Sequence, residues 1–282
     1  MGTEMLQTGL RRPTRNQPWT VWFAAGFVIL TVLMVFLGPL LAPYDPSAQN
    51  LLNVGKPPSA EHWLGTDGLG RDVLSRILVG TSSAVLGPAA VALGAMCISV
   101  VIGITSGYMG GRVDAVIMRA VDFLMALPSM LVAIVVVGIL AGGYWAAVAT
   151  LAFLYVSHDV RIVRGVTLEQ RGLAYVSAAR VLGIPRRTIM FGHIFRNIRP
   201  FLFSYVSLDF SYSLVALAGL AYLGLGAAPG TPEWGRMLAE NQALMFTNSA
   251  SMLAPAVLIG LLAVSVTLIG DRIGGEISKA MV

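Results

Sequence analysis

The sequence predicts an all-α polytopic membrane protein with about six transmembrane helices, and three observations carry that prediction. First, 56% of the residues are hydrophobic and only 12% are charged, about half the usual charged share of a soluble domain. Second, no Asp, Glu, Lys, Arg or His occurs between Arg15 and Asp45, between Arg76 and Arg112, or between Asp122 and His158. Each stretch exceeds the roughly 20 apolar residues that carry a helix across a bilayer. Third, the formal net charge of +5 comes from basic residues gathered between the apolar runs. That is the pattern of loops retained in the cytoplasm, and no aromatic–basic face for nucleic acid accompanies it.

The first helix is predicted over Trp19–Leu41, after a cytoplasmic tail (1–18) with Arg11, Arg12 and Arg15, and the span unit closes at 42 before the turn Pro43-Tyr44-Asp45-Pro46. It is too long for a signal-peptide core and lacks a small-residue cleavage site, so it reads as a retained anchor. An outer segment, 43–83, follows, with Pro57-Pro58 marking a loop. A membrane core over 84–282 begins with a helix at Ala84–Tyr108. Pro88 is expected in its first turn, and Gly87, Gly94, Gly103 and Gly107 permit close packing. Cys97 stands alone and reads as a small packing residue, with no disulfide or metal knuckle within the chain.

The third helix is expected over Asp114–Leu140, kinked at Pro128. Residues 123–157 are too long for one span, since about 1.5 Å per residue gives roughly 50 Å against about 30 Å of hydrocarbon. A break therefore falls at Ala141-Gly142-Gly143, with Tyr144 and Trp145 suited to the membrane interface. The fourth helix covers Tyr144–Ser157 and continues past the surface; the fifth and sixth cover Phe201–Leu223 and Met252–Ile269. With both termini inside, 15 basic residues lie on the cytoplasmic side: Arg11, Arg12, Arg15, Arg112, Arg119, eight arginines in 158–200, Arg272 and Lys279. Only 4 lie outside: Lys56, Arg71, Arg76 and Arg236. This asymmetry fixes the orientation as N-in and C-in.

The 158–200 loop holds Arg161, Arg164, Arg171, Arg180, Arg186, Arg187, Arg196 and Arg199 against Asp159 and Glu169. Val166, Leu173, Val176, Ala179 and Leu182 recur at three- and four-residue spacing, which gives a helix one apolar face. Gly183 then suits a left-handed cap, and Pro185 opens a second helix carrying Ile189, Met190, Ile194 and Phe195 until Pro200 begins the next span. The expected product is a cytoplasmic helix–turn–helix. An ordinary basic loop held at anionic lipid is the plainer alternative.

Elsewhere, Asp67 can cap a short helix with Arg71 at the favourable acid-before-base spacing. Arg119 and Asp122 read as a helix-surface pair, and Trp234 as an interface anchor of a glycine-rich outer loop. Asp209 is expected to be the one carboxylate deep in a span. There it either lines a translocation path or bonds to Ser207, Ser211 or Tyr212. His62, His158 and His193 have no spacing partners for a metal, and no nucleophile–base set for catalysis emerges. Lys56 and Lys279 are the only lysines, and neither ends a glycine-rich phosphate loop. An ion-coupled carrier would need several intramembrane ionisable groups and paired repeats.

Residues Tyr175-Val176-Ser177-Ala178-Ala179-Arg180-Val181-Leu182-Gly183, with His193-Ile194 and Asn197, resemble the EAA loop of binding-protein-dependent ABC transporter permeases. Ser177 stands where that loop usually has Glu, and Phe195-Arg196 where it has Leu-Pro. The segment from His62 to Val73, containing Gly65, Thr66, Asp67, Gly70, Arg71 and Asp72, resembles the GTDxxGRDV signature of the dipeptide, oligopeptide and nickel permeases. Similarity to the C-type subunit continues through Gly107-Tyr108, Asp114, Arg119, Asp122, Pro128, Tyr222–Gly226 and Pro232–Leu238. Leu217 stands where the family often has Glu. The resemblance covers most of the chain from residue 57 onward. It implies a type I ABC importer permease fold that moves short peptides, with nickel or another small solute as the alternative. It further implies a second homologous permease completing a heterodimer, two ATP-binding subunits that carry ATP and Mg, and an extracytoplasmic substrate-binding protein. By that resemblance Ser177, Ala178, Ala179, Arg180, Gly183, Pro185, Arg186 and Arg187 belong to an ATPase-coupling loop.

Overall fold

The computed structural model describes residues 18–140 and 142–280, with side chains over 19–140 and 142–276. Arg11, Arg12, Arg15, Ala141 of the expected break and the Lys279 side chain lie outside the described residues. The helices are α1 (Pro18–Leu41), α2 (Val73–Met109), α3 (Gly111–Met125), α4 (Ser129–Leu140) and α5 (Gly143–Arg171). They continue as α6 (Ala174–Val181), α7 (Phe195–Tyr222), α8 (Trp234–Glu240) and α9 (Ala250–Ala280), with a π-helical stretch Thr188–Ile194 leading into α7. Among the described residues five helices are long and apolar enough to cross a membrane, and the pair α3–α4, bent by 76°, is a broken span or a re-entrant loop.

Several boundaries differ from expectation. α2 begins at Val73 because Asp72 caps it, its carboxylate accepting the Ser75 N–H at 2.8 Å. Pro88 therefore lies inside α2, not in its first turn, and its carbonyl accepts from the Ser213 hydroxyl of α7 at 3.2 Å. Around Pro128 the chain breaks into two helices instead of kinking. The stretch after Pro185 does not form a separate helix: its wide turns run straight into α7, which contains Pro200.

Small residues set the helix spacing. On α2, Gly103 meets Val163 and Gly107 meets Thr167 of α5, with the Ser99 hydroxyl donating to the Val156 carbonyl at 3.2 Å. On α9, Gly270 and Gly274 sit against Ser207 and Ser204 of α7. Close backbone approach of this kind is how helices associate where lipid removes the hydrophobic drive. Gly94 meets nothing, and Cys97 is exposed instead of packed, so both belong to the outer face of α2.

Three apolar clusters stack along the bundle. The outer one joins Val73, Ile77, Leu214, Trp234, Met237 and Leu262. The middle one joins Val91, Val137, Leu151, Leu217 and Leu220, so Leu217 is a core residue here. The inner one joins Ile104, Val163, Val176, Ala179, Ile189 and Ile194, which seats α6 and the π-helical stretch on the ends of α2 and α5.

Candidate functional site

The inner end of the bundle presents α6. Val176 and Ala179 are buried beneath it, while Val181 and Leu182 at its tip are 88% and 77% exposed. The expected apolar face is thus split: Val176 and Ala179 pack inward, whereas Leu173 and Leu182 face outward. The turn is closed by Gly183 at φ +73°, with Ile184 N–H donating to the Ala179 carbonyl and Gly183 N–H to the Arg180 carbonyl. This paired bonding is the glycine-dependent stop that satisfies a helix's last carbonyls. No atom lies near a Cβ built on Gly183, so conformation and not space demands the glycine. Pro185 accepts the first bond of the following helix, from Ile189 N–H at 3.1 Å.

The arginines of this region divide. Arg164 grips Asp114 of α3 through two bonds of 2.5 and 2.6 Å, and Arg161 pairs with Asp122. Asp122 therefore serves α5 and not Arg119, its predicted partner. Arg171 donates to the Gly107 carbonyl, and Arg180 lies 5.1 Å over the Tyr108 ring. Ser177, Ala178, Arg180, Gly183, Pro185, Arg186 and Arg187 are exposed; Ala179 is buried. All the predicted coupling residues but Ala179 thus lie on the exposed side of this turn.

The outer end is built differently. Gly65, Thr66, Asp67, Gly70, Arg71 and Asp72 are all buried. Asp67 caps no helix: it sits in a turn and accepts from the N–H groups of Leu69 and Arg71, each at 2.9 Å. A Cβ at Gly65 would strike the Lys56 carbonyl, and one at Gly70 the Asn50 carbonyl, and both residues have positive φ. Arg71 Nε meets Asp67 at 2.6 Å, and Arg71 and Arg76 both reach Glu240 of α8, at 2.7 and 2.9 Å. Arg236 holds the other Glu240 oxygen at 3.0 Å. Burial works against the Glu240 charge, but Arg76 and Arg71 outweigh it and hold the carboxyl below its ordinary range. Beside this cluster Glu233 is buried with one oxygen unpartnered, and burial pushes its carboxyl up to about 7. Trp234 is buried, not interfacial, and donates to the Ile77 carbonyl at 3.0 Å. Of the two expected interfacial residues after the break, Trp145 is exposed, whereas Tyr144 turns inward and donates to the Ser83 carbonyl.

Between the two ends a cleft of about 990 Å³ opens among α3, α4, α5 and α7. Asp209 lines it, with Tyr155, His158, Tyr205 and Tyr212. Asp209 bonds to none of Ser207, Ser211 or Tyr212; Ser211 bonds instead across to α9. It faces Asp159 of α5, which is fully buried. By sequence Asp159 belongs to the cytoplasmic loop and Asp209 is the one deep carboxylate; α5 instead carries Asp159 into the bundle. The continuous helical register from Leu151 through Val163 was the signal that held this information. His62 is bound to Asp72 at 2.8 Å and His158 to the Tyr205 hydroxyl at 2.8 Å.

Residues 99–279 match the family of binding-protein-dependent transport system inner membrane components. Residues 17–58 match the N-terminal TM domain of oligopeptide transport permease C. The chain is 36% identical to the probable D,D-dipeptide transport system permease protein DdpC of Escherichia coli K12, over 92% of this chain and 87% of that one. It is 37% identical to the glutathione transport system permease protein GsiD of Pectobacterium atrosepticum, over 88% and 83%. It is 33% identical to the dipeptide transport system permease protein DppC of Haemophilus influenzae, over 87% and 85%. With its polytopic helical fold, the chain belongs to the binding-protein-dependent transport system inner membrane components and is a multi-pass protein of the inner membrane.

Proposed function

We propose that this chain is the C-type permease subunit of an ABC importer for short peptides and forms one half of the translocation path. As such a permease it works with an ATPase and a binding protein; we place one homologous permease and two ATP-binding subunits in the assembly. The relatives named for dipeptides and glutathione support peptides over nickel or another small solute. ATP and Mg belong to the ATPase subunits, and the chain itself catalyses no reaction.

The observation that carries the reading is α6: an exposed apolar tip, Val181-Leu182, on a buried base, ringed by Arg180, Arg186 and Arg187. Such a knob fits a groove on another protein better than it fits water. In this reading Ser177, Ala178 and Gly183 contact the ATPase, while Ala179 and Pro185 hold the knob's shape. ATP binding draws two ATPases together, the docked loops follow, and the permease pair passes from inward- to outward-open. The buried outer signature, with Glu240, is the rigid frame on which the binding protein delivers substrate. The substitution Gly183→Arg tests the coupling. The protein should insert in the membrane, since open space surrounds the position, but ATP hydrolysis should no longer drive uptake. Uptake at the unsubstituted rate would remove α6 from the coupling path.

A further inference from the structure

The carboxyls of Asp159 and Asp209 neighbour each other across the α5–α7 interface. They are 0% and 3% exposed. Neither oxygen of Asp159, and not Oδ2 of Asp209, has a hydrogen-bond donor among the described residues. His158 is the nearest cationic candidate, at 4.0 Å from Asp159, but its Nδ1 is bonded to the Tyr205 hydroxyl. No Lys or Arg lines the cleft. Two carboxylates cannot both keep their charges side by side in a buried site, so the pair carries at most one negative charge. Besides His158, no side chain of the cleft wall can carry a positive charge to balance it.

We propose that Asp209, backed by Asp159, is the subsite that holds the α-ammonium group of a peptide during its passage through the cleft. The inference rests on the peptide-importer reading and adds to it the contact that the substrate makes inside the membrane. An ammonium brings a positive charge and the N–H donors that the pair lacks. Tyr155, Tyr205 and Tyr212 border the same space, and aromatic rings suit an organic cation. A metal ion fits less well, because no group of three metal-ligating side chains occurs among the described residues. The cleft volume is at the upper end of small-ligand sites, enough for a short peptide. A carboxylate is costly in a membrane span unless it serves an aqueous path, and a cleft-lining position meets that condition.

The test uses the assembled transporter, with this chain, its permease partner and its ATPases in detergent. Dicyclohexylcarbodiimide labelling of Asp209, read by peptide mass mapping, is compared with and without excess L-alanyl-L-alanine. The free-amine dipeptide should protect Asp209 at least fivefold, and N-acetyl-L-alanyl-L-alanine should not. Equal labelling in all three conditions overturns the subsite. In vesicles supplied with binding protein, Asp209→Asn should lower dialanine uptake at least tenfold, with Asp209→Glu recovering most of it. Undiminished uptake by Asp209→Asn and by the double Asp159→Asn, Asp209→Asn variant overturns the subsite alone. If the unsubstituted transporter takes up no free-amine peptide, the peptide reading falls and the subsite with it.

Discussion

Arginine does opposite work at the two ends of this protein. At the outer end Arg71 and Arg76 are almost completely buried and find Asp67 and Glu240 within the chain. At the inner end Arg186 and Arg187 are exposed beside an apolar tip. The residue type is the same, and pairing decides the role. Charges that close on carboxylates of their own chain make a frame, whereas charges left in water beside exposed Val181 and Leu182 make the surface proposed above to dock the ATPase.

The comparison predicts a steep gradient in sensitivity. The largest effect should come from Glu240→Ala, which leaves two buried guanidiniums with Asp67 as their one carboxylate and should cost about 3–5 kcal/mol. Thermal unfolding in mild detergent checks this, and a cost near zero would break the contrast between the two ends. Next is Glu233, whose carboxyl is pushed up to about 7 by burial. The neutral form suits the fold, so this group's stabilisation is present below its ordinary value near 4.5 and is lost as pH rises through about 7. The total is on the order of 3 kcal/mol. The unfolding midpoint should therefore fall between pH 5 and pH 8, and Glu233→Gln should flatten that fall.

Smaller changes are expected at the inner end. Gly183→Ala forces a side chain into a left-handed conformation and should cost about 1–2 kcal/mol, measured by the same unfolding. Smallest of all, Arg186→Ala and Arg187→Ala should alter stability by no more than about 0.5 kcal/mol. Their effect should appear in co-purification of the ATPase, which weakens while the unfolding midpoint stays in place. A stability loss at Arg186 comparable to that at Glu240 would show the inner arginines to be part of the frame as well.

Much of this was legible in the residues because it is local. The apolar runs announced the spans, and Gly183 followed by Pro185 announced the stop that Ile184 and Ala179 complete. What escaped depends on distant partners. Arg76 looked like a charge that must precede a span, but Glu240, far along the chain, neutralises it and lets α2 begin before it. Asp159 looked like part of a basic loop because Arg161 and Arg164 follow it, yet those arginines turn toward α3 while Asp159 turns toward α7. Trp234 resembled an interfacial anchor until Gly80 and the Ile77 carbonyl gave its ring a buried seat.

α5 has a mechanical consequence. It runs unbroken from Gly143 to Arg171, a rod of roughly 43 Å at about 1.5 Å per residue. Its outer end starts at a positive-φ glycine, its inner end leads into α6, and Asp159 stands between them. If the rod pivots about Gly143, a push at α6 is geared down to roughly half its size at the acid pair, by the same rise per residue. A few ångströms of travel at the membrane surface then become one or two at the cleft wall, the scale on which a hydrogen bond is made or released.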